Sequence, residues 1–267
     1  MIRWMGALAA CALALGACRE PSFDVDGLTV FGLDGAGNLV EFGTESADRV
    51  RRQELEGLEE NESLLGIDGR GRGEDVELFG IASTGRPVRV TPLGGAVTPL
   101  GGPVVPLPEG PLGVDLEPGG GVLRVLTAGG RNLRIDLATG AAADEGALAY
   151  APGDPGAVTT PRLVAAAYAP DGTLYAIDSN RDALVTLPSP ATGQVRTIGP
   201  LGVNASDDAG LDVVDAGGKR LAFATLTVGT ATEFRSVDLA TGTAERVRRV
   251  AARSPVRSIT VVPDERR

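Results

Sequence analysis

The sequence predicts an all-β protein, a β-propeller of five blades, and three observations carry that expectation. From Leu28 onward, short runs rich in Val, Leu, Ile and Thr alternate with Gly, Asp, Asn and Pro, and few stretches have a helical period. A unit of four such runs recurs about every fifty residues, the length of a propeller blade. A lone strand near the C-terminus and a three-strand set near the N-terminus each lack what the other supplies, so joining them closes the disc. A miscount of the units would give six or seven blades instead.

The elements follow in order. Leu28 to Leu33, Asn38 to Phe42 and Arg49 to Leu55 form the incomplete first set. Leu64 to Asp68, Val76 to Ala82, Pro87 to Thr91 and Ala96 to Pro99 make the next unit. The third consists of Leu112 to Leu116, Val122 to Thr127, Asn132 to Asp136 and Ala141 to Asp144. Val164 to Ala169, Thr173 to Asp178, Ala183 to Leu187 and Gln194 to Ile198 form the fourth. Leu211 to Val214, Leu221 to Thr227, Glu233 to Asp238 and Thr243 to Val250 form the fifth. Ala138-Thr139-Gly140, Ala191-Thr192-Gly193 and Ala240-Thr241-Gly242 mark the same turn in three units, while Asp34-Gly35 and Asp171-Gly172 read as hairpin turns.

The opening strands align as Gly66-Ile67-Asp68, Gly113-Val114-Asp115, Ala167-Tyr168-Ala169 and Gly210-Leu211-Asp212. Ser258-Ile259-Thr260 starts the same way and supplies the missing strand of the first blade. A small residue suits a strand crowded beside the propeller axis. Two stretches depart from the repeat. Thr91-Pro92-Leu93-Gly94-Gly95 recurs as Thr98-Pro99-Leu100-Gly101-Gly102 and continues through Pro103, Pro106, Pro108 and Pro111. It reads either as a duplicated surface connection or as a polyproline face for a partner. Glu54 to Glu62 reads as a solvated loop or short helical turn.

Composition narrows the chemistry. Asp and Glu number 35 against 25 Lys and Arg, a formal net charge of −10, which argues against nucleic acid as a partner. The absence of histidine removes every His-dependent triad, dyad, general base and metal site. No nucleophile elbow, Walker loop or dinucleotide fingerprint is present, and no residue is assigned a catalytic or cofactor-binding role.

Residues 1–17 read as a signal segment: Arg3, an apolar stretch from Trp4 to Leu15, then small residues. Leu15-Gly16-Ala17-Cys18 resembles the lipobox of bacterial lipoproteins. The resemblance implies acylation of Cys18 at the head of a lipidated tether over residues 18–27; the strand repeats put the propeller at residues 28–263 and a tail at 264–267. It also implies a place in the bacterial cell envelope, with outer-membrane sorting where an outer membrane exists, because Arg19 follows the cysteine. The other reading of the leader is an ordinary secretory signal that releases a soluble chain. Cys11 leaves with the leader either way, so with Cys18 acylated the mature domain has neither disulfide nor free thiol.

Six motifs in order, Gly66-Ile67-Asp68, Gly113-Val114-Asp115, Asn132-Leu133-Arg134, Leu148-Ala149-Tyr150, Leu174-Tyr175-Ala176-Ile177-Asp178 and Gly199-Pro200-Leu201-Gly202-Val203, resemble a bacterial family. It is the domain of unknown function numbered forty-three ninety-four, whose members are secreted or lipid-anchored and similar to β-propellers. The resemblance runs from about Leu28 to Pro263 and implies fold and compartment. Gly69-Arg70 and Leu116-Glu117-Pro118 stand where the family has an Arg-Pro or Asn-Pro pair, so no functional role is carried over.

Asp68, Asp115 and Asp212 hold equivalent positions on three inner strands. Converging on the axis, they could bind Ca²⁺ or another oxygen-seeking cation, or serve a carboxylate-dependent glycoside hydrolase or lyase. The competing reading is structural, with each Asp accepting amides at the turn that ends its strand. The only tryptophan, Trp4, lies in the leader, which weakens the sugar reading, and most Phe and Tyr residues fall where core packing explains them. Arg49-Val50-Arg51-Arg52 and Arg246-Val247-Arg248-Arg249 fall on outer strands that five-blade closure makes neighbours. They read as a basic stripe for anionic head groups or as charged edges that prevent aggregation. The expected function is therefore that of a monomeric, membrane-anchored binding module for an unidentified protein or small molecule, with the carboxylate enzyme as the alternative.

Overall fold

The computed structural model describes residues 27–101 and 105–264; the leader, Cys18, Phe23 and the last three residues lie outside the described residues. Five antiparallel sheets ring a common axis. The first blade holds β1 (Leu28–Asp34), β2 (Leu39–Gly43) and β3 (Arg51–Gln53). The second holds β4 (Leu64–Arg70), β5 (Glu77–Ala82), β6 (Pro87–Val90) and β7 (Val97–Pro99). The third holds β8 (Leu112–Leu116), β9 (Val122–Thr127), β10 (Asn132–Asp136) and β11 (Ala142–Asp144).

In the fourth blade, β13 (Leu163–Tyr168), β14 (Leu174–Asp178), β15 (Ala183–Leu187) and β16 (Gln194–Pro200) are joined by a two-residue strand, β12 (Ala149–Tyr150). β12 runs parallel to β16 and was not expected. The fifth blade holds β17 (Ala209–Ala216), β18 (Lys219–Val228), β19 (Ala231–Val237) and β20 (Ala244–Arg249). The final strand, β21 (Val256–Pro263), pairs with β1 as the innermost strand of the first blade, from Leu28 opposite Pro263 to Asp34 opposite Val256. The predicted five-blade closure is therefore what forms.

The core divides by seam. Phe31 and Leu33 meet Leu64, Ile67 and Leu78 between the first two blades, and Phe79 and Ile81 meet Leu112, Val114 and Leu123 at the next seam. Leu126 and Leu148 meet Tyr150, Leu163 and Leu174, and Val164 and Ile177 meet Leu211, Ala224 and Leu226. The last seam is aromatic: Phe42 meets Phe234 edge-on at 5.6 Å, and Phe223 stacks on Phe234 at 5.1 Å. Each blade thus buries one face against each neighbour, and no blade has a core of its own.

The small residues on the inner strands have a steric cause. A β-carbon on Gly113 would lie 2.5 Å from the Ala165 carbonyl carbon and the Ala166 nitrogen, inside van der Waals contact with the next blade. The Thr-Gly turns repeat as predicted. Gly140, Gly193 and Gly242 take φ of 68°, 68° and 84°, and each preceding Thr hydroxyl accepts the amide two residues on, at 3.3 Å. The acidic stretch from Glu54 is a loop, yet Glu62 turns inward and its carboxylate holds Arg86 and Thr84.

Candidate functional site

The inner strands β4, β8, β13, β17 and β21 run side by side around the axis, and one position on each faces the next strand. Asp68 Oδ2 accepts the Leu116 amide of the third blade at 2.8 Å, and Asp115 Oδ2 accepts the Tyr168 amide of the fourth at 2.6 Å. Asp212 Oδ2 accepts the Val261 amide of the first blade, whose Thr260 Oγ1 accepts the Gly69 amide of the second at 3.2 Å. These four bonds clasp four of the five seams. The structural role of the carboxyls thus differs from the expected one: their principal amides come from the neighbouring blade, not from the turn ending their own strand.

The same pattern corrects the alignment of the fourth blade. Tyr168 donates from the position that Leu116 and Val261 hold in their strands, so the residue equivalent to Asp68, Asp115, Asp212 and Thr260 is Ala167. The inner triplet is Ala165-Ala166-Ala167, two residues earlier than Ala167-Tyr168-Ala169. Alanine offers no acceptor, and the Val213 amide bonds instead to its own Asp212 Oδ1 at 2.6 Å.

Asp68, Asp115 and Asp212 are 5 %, 3 % and 7 % exposed, and one oxygen from each lies within 4.8 Å of the others. Burial raises the pKa of all three, since a charged carboxylate loses its hydration there. Asp115 is pushed well above the carboxylate range, because the charges of Asp68 and Asp212 add to the burial. Asp212 rises to about 8 through burial and the Asp68 charge. Asp68 and Asp115 influence each other's protonation in opposite senses, and the Thr260 hydroxyl lowers both Asp68 and Asp212, though less than burial raises them. Burial and mutual repulsion therefore disfavour ionising all three carboxyls together.

A cleft of about 410 Å³ opens above this ring, where the inner strands end. Arg70, Arg72, Glu117, Tyr168 and Asp215 stand around it, and the three carboxyls form its floor. Arg124 supports its wall: only 3 % exposed, it bonds Tyr168 Oη at 3.2 Å, Glu117 at 2.6 Å, Glu145 at 2.5 Å and Asn132 at 2.9 Å. Burial raises the Tyr168 phenol to about 12 although Arg124 opposes the shift, so the hydroxyl stays protonated. Sequence reading missed Arg124. The available signal was one arginine interrupting the apolar run Val122-Leu123-Arg124-Val125-Leu126, since a buried guanidinium requires carboxylate partners.

Comparison with curated proteins gives no significant match. Solved structures similar in fold include a streptogramin B lyase, at 14 % identity over 84 % of this chain and 69 % of that one, with a TM-score of 0.43. A protein from Lactobacillus plantarum matches at 15 % identity over 88 % of this chain and 71 % of its own, TM-score 0.46. The allergen Mala s 1 of Malassezia sympodialis matches at 12 % over 85 % and 72 %, TM-score 0.45. A family model matches residues 38–260, nearly the whole propeller, and the chain belongs to the family described as Domain of unknown function (DUF4394).

Proposed function

We propose that this protein is an envelope lipoprotein whose propeller is a non-catalytic binding module, with its ligand face at the mouth of the axial channel. The observation that carries the reading is the cleft above Asp68, Asp115 and Asp212, where buried carboxyls and flanking charged side chains converge on one opening. In this reading Cys18 is acylated, Arg19 directs the chain to an outer membrane where one exists, and the domain is a monomer that does not bind nucleic acid. The ligand class that suits the floor is a hard, oxygen-seeking cation such as Ca²⁺. At a Ca–O distance of about 2.4 Å, two ligand oxygens on one ion stand at most about 4.8 Å apart, and the three carboxyl oxygens lie within that limit of one another. The Thr260 hydroxyl beside Asp68 and Asp212 and solvent in the cleft would complete the shell. No separate observation favours the hydrolase or lyase alternative, because each carboxyl already holds an amide of the adjoining blade.

The test is a thermal unfolding scan of the chain from Arg19 onward at pH 8, in EDTA or millimolar Ca²⁺, for the wild type and Asp115→Asn. At Ca²⁺ about a hundredfold above Kd, linkage gives about 2.7 kcal/mol. For a chain of this size that is a rise in Tm of about 5–10 °C. The rise is expected in the wild type and absent in Asp115→Asn. No shift in the wild type, or an equal shift in both, refutes the cation site.

A further inference from the structure

The two Arg-Val-Arg-Arg stretches meet at the seam between the first and fifth blades. β3 and β20 are the outermost strands of those blades, so both stretches lie on the rim of the disc. Val50 and Val247 pack against the same core cluster, and the Ala251 amide donates to the Ala47 carbonyl at 2.9 Å. Arg249 and Arg253 line a cleft of about 480 Å³, and Arg253 also lines an adjoining one of about 380 Å³ with Arg52.

The arginines here fall into two groups. Arg51 pairs with Glu41, Arg52 with Asp34 and Arg246 with Glu233. Arg49, Arg248, Arg249 and Arg253 are exposed, and among the described residues their guanidinium groups have no hydrogen bond or ion pair. Residues 47–53 and 244–257 contain eight arginines and two acids, Asp48 and Glu245, and Glu41, Asp34 and Glu233 from neighbouring strands pair with three of the arginines, in a chain whose net charge is −10. Edge protection accounts for charge on β3 and β20. It does not account for Arg253, which lies in the loop beyond β20 and adds to the same positive field.

We infer that this rim is a docking surface for an anionic bilayer. Unpaired guanidinium groups on a shallow surface match lipid phosphates in charge and in hydrogen-bond geometry. The point of chain entry favours a membrane as the occupant. Gly27 leads directly into β1 of the first blade, and residues 18–27 extended reach about 30 Å, so an anchor at Cys18 holds this blade close to the surface. The inference rests on the envelope reading for the anchor that brings this blade to a bilayer.

The test is co-sedimentation of the chain from Arg19 onward with phosphatidylcholine vesicles, with and without phosphatidylglycerol. Every strand of the closed propeller lies between Leu28 and Pro263, so this chain keeps the whole fold. Binding is expected only to the anionic vesicles, lost in high salt, and weakened about fivefold by each of Arg248→Gln, Arg249→Gln and Arg253→Gln. Arg196→Gln, at an exposed arginine of the fourth blade, leaves it unchanged. No binding at low salt, equal binding to both vesicles, or undiminished binding by the three single variants overturns the inference. Arginine-dependent binding of polyglutamate without vesicle binding overturns it in favour of an acidic protein partner. Because this chain lacks Cys18, failure of acylation in cells would refute the envelope reading and leave the vesicle result standing.

Discussion

Stability between pH 5 and 8, measured in EDTA, separates the axial carboxyls from acids such as Glu62, Glu117 and Asp154, whose pKa values folding lowers. A carboxyl whose pKa is raised by folding holds its proton more tightly in the native state than in the unfolded one. Above the unfolded value of 3.8 the unfolded chain releases that proton first, so stability falls as pH rises until the folded group also ionises. For Asp212, raised from 3.8 to about 8, the span is about four pH units at about 1.4 kcal/mol each. The loss is on the order of 5 kcal/mol, comparable with the whole stability of many domains. Glu62, Glu117 and Asp154 act in the opposite sense, because their lowered pKa values contribute stability that is present above about pH 4.5 and lost on acidification. They are flat in the chosen window. Urea unfolding of the wild type should therefore show stability falling from pH 5 to 8. Asp212→Asn, which keeps an oxygen for the Val261 amide but cannot ionise, should make the fall shallower, with Asp68 and Asp115 still raised by burial, and lose less stability between pH 5 and 8 than the wild type. Parallel curves for the two proteins, or a wild type that gains stability with pH, would refute the reasoning.

Two further outcomes follow from the closure. Thr260→Val leaves the Gly69 amide without its acceptor across the first seam, and urea unfolding should show a loss of about 1–3 kcal/mol with the m-value unchanged. A chain ended at Pro255 lacks β21 and leaves the β1 edge and the aromatic seam open; circular dichroism should show no cooperative thermal transition, and a sharp transition would mean that the first blade closes another way.

The fold was legible because its signals are local. Alternating apolar runs set the strands, Asp-Gly and Thr-Gly pairs set the turns, and the unmatched sets at Leu28 and Ser258 announced the closure. The convergence of Asp68, Asp115 and Asp212 was legible for a related reason, since equivalent positions in a repeat fold to equivalent places around the axis. What failed depended on contacts between blades. The run Ala165-Ala166-Ala167 has no polar marker, and only the bond from the Tyr168 amide to Asp115 fixes its register. The clasps themselves are set by how closely one blade approaches the next, whereas the parallel pairing of Ala149 and Tyr150 with β16 and the burial of Arg124 among Asn132, Glu117, Glu145 and Tyr168 depend on residues far apart in the chain.

The break in the ring at Ala167 determines how charge is distributed within it. With no acceptor from the fourth blade, the Val213 amide turns to Asp212, which then holds two amides, those of Val213 and Val261. Asp115 accepts only the Tyr168 amide and faces the charges of both other carboxyls. Mutual repulsion therefore keeps a proton within the ring as pH rises. A cation entering the ring must displace that proton, because three carboxylates can all be charged here only if something positive lies between them. Binding would then release protons and be tighter at pH 8 than at pH 5. The fall in stability without Ca²⁺ and its recovery with Ca²⁺ would share one origin, and a recovery that did not depend on pH would place the cation somewhere other than among these three carboxyls.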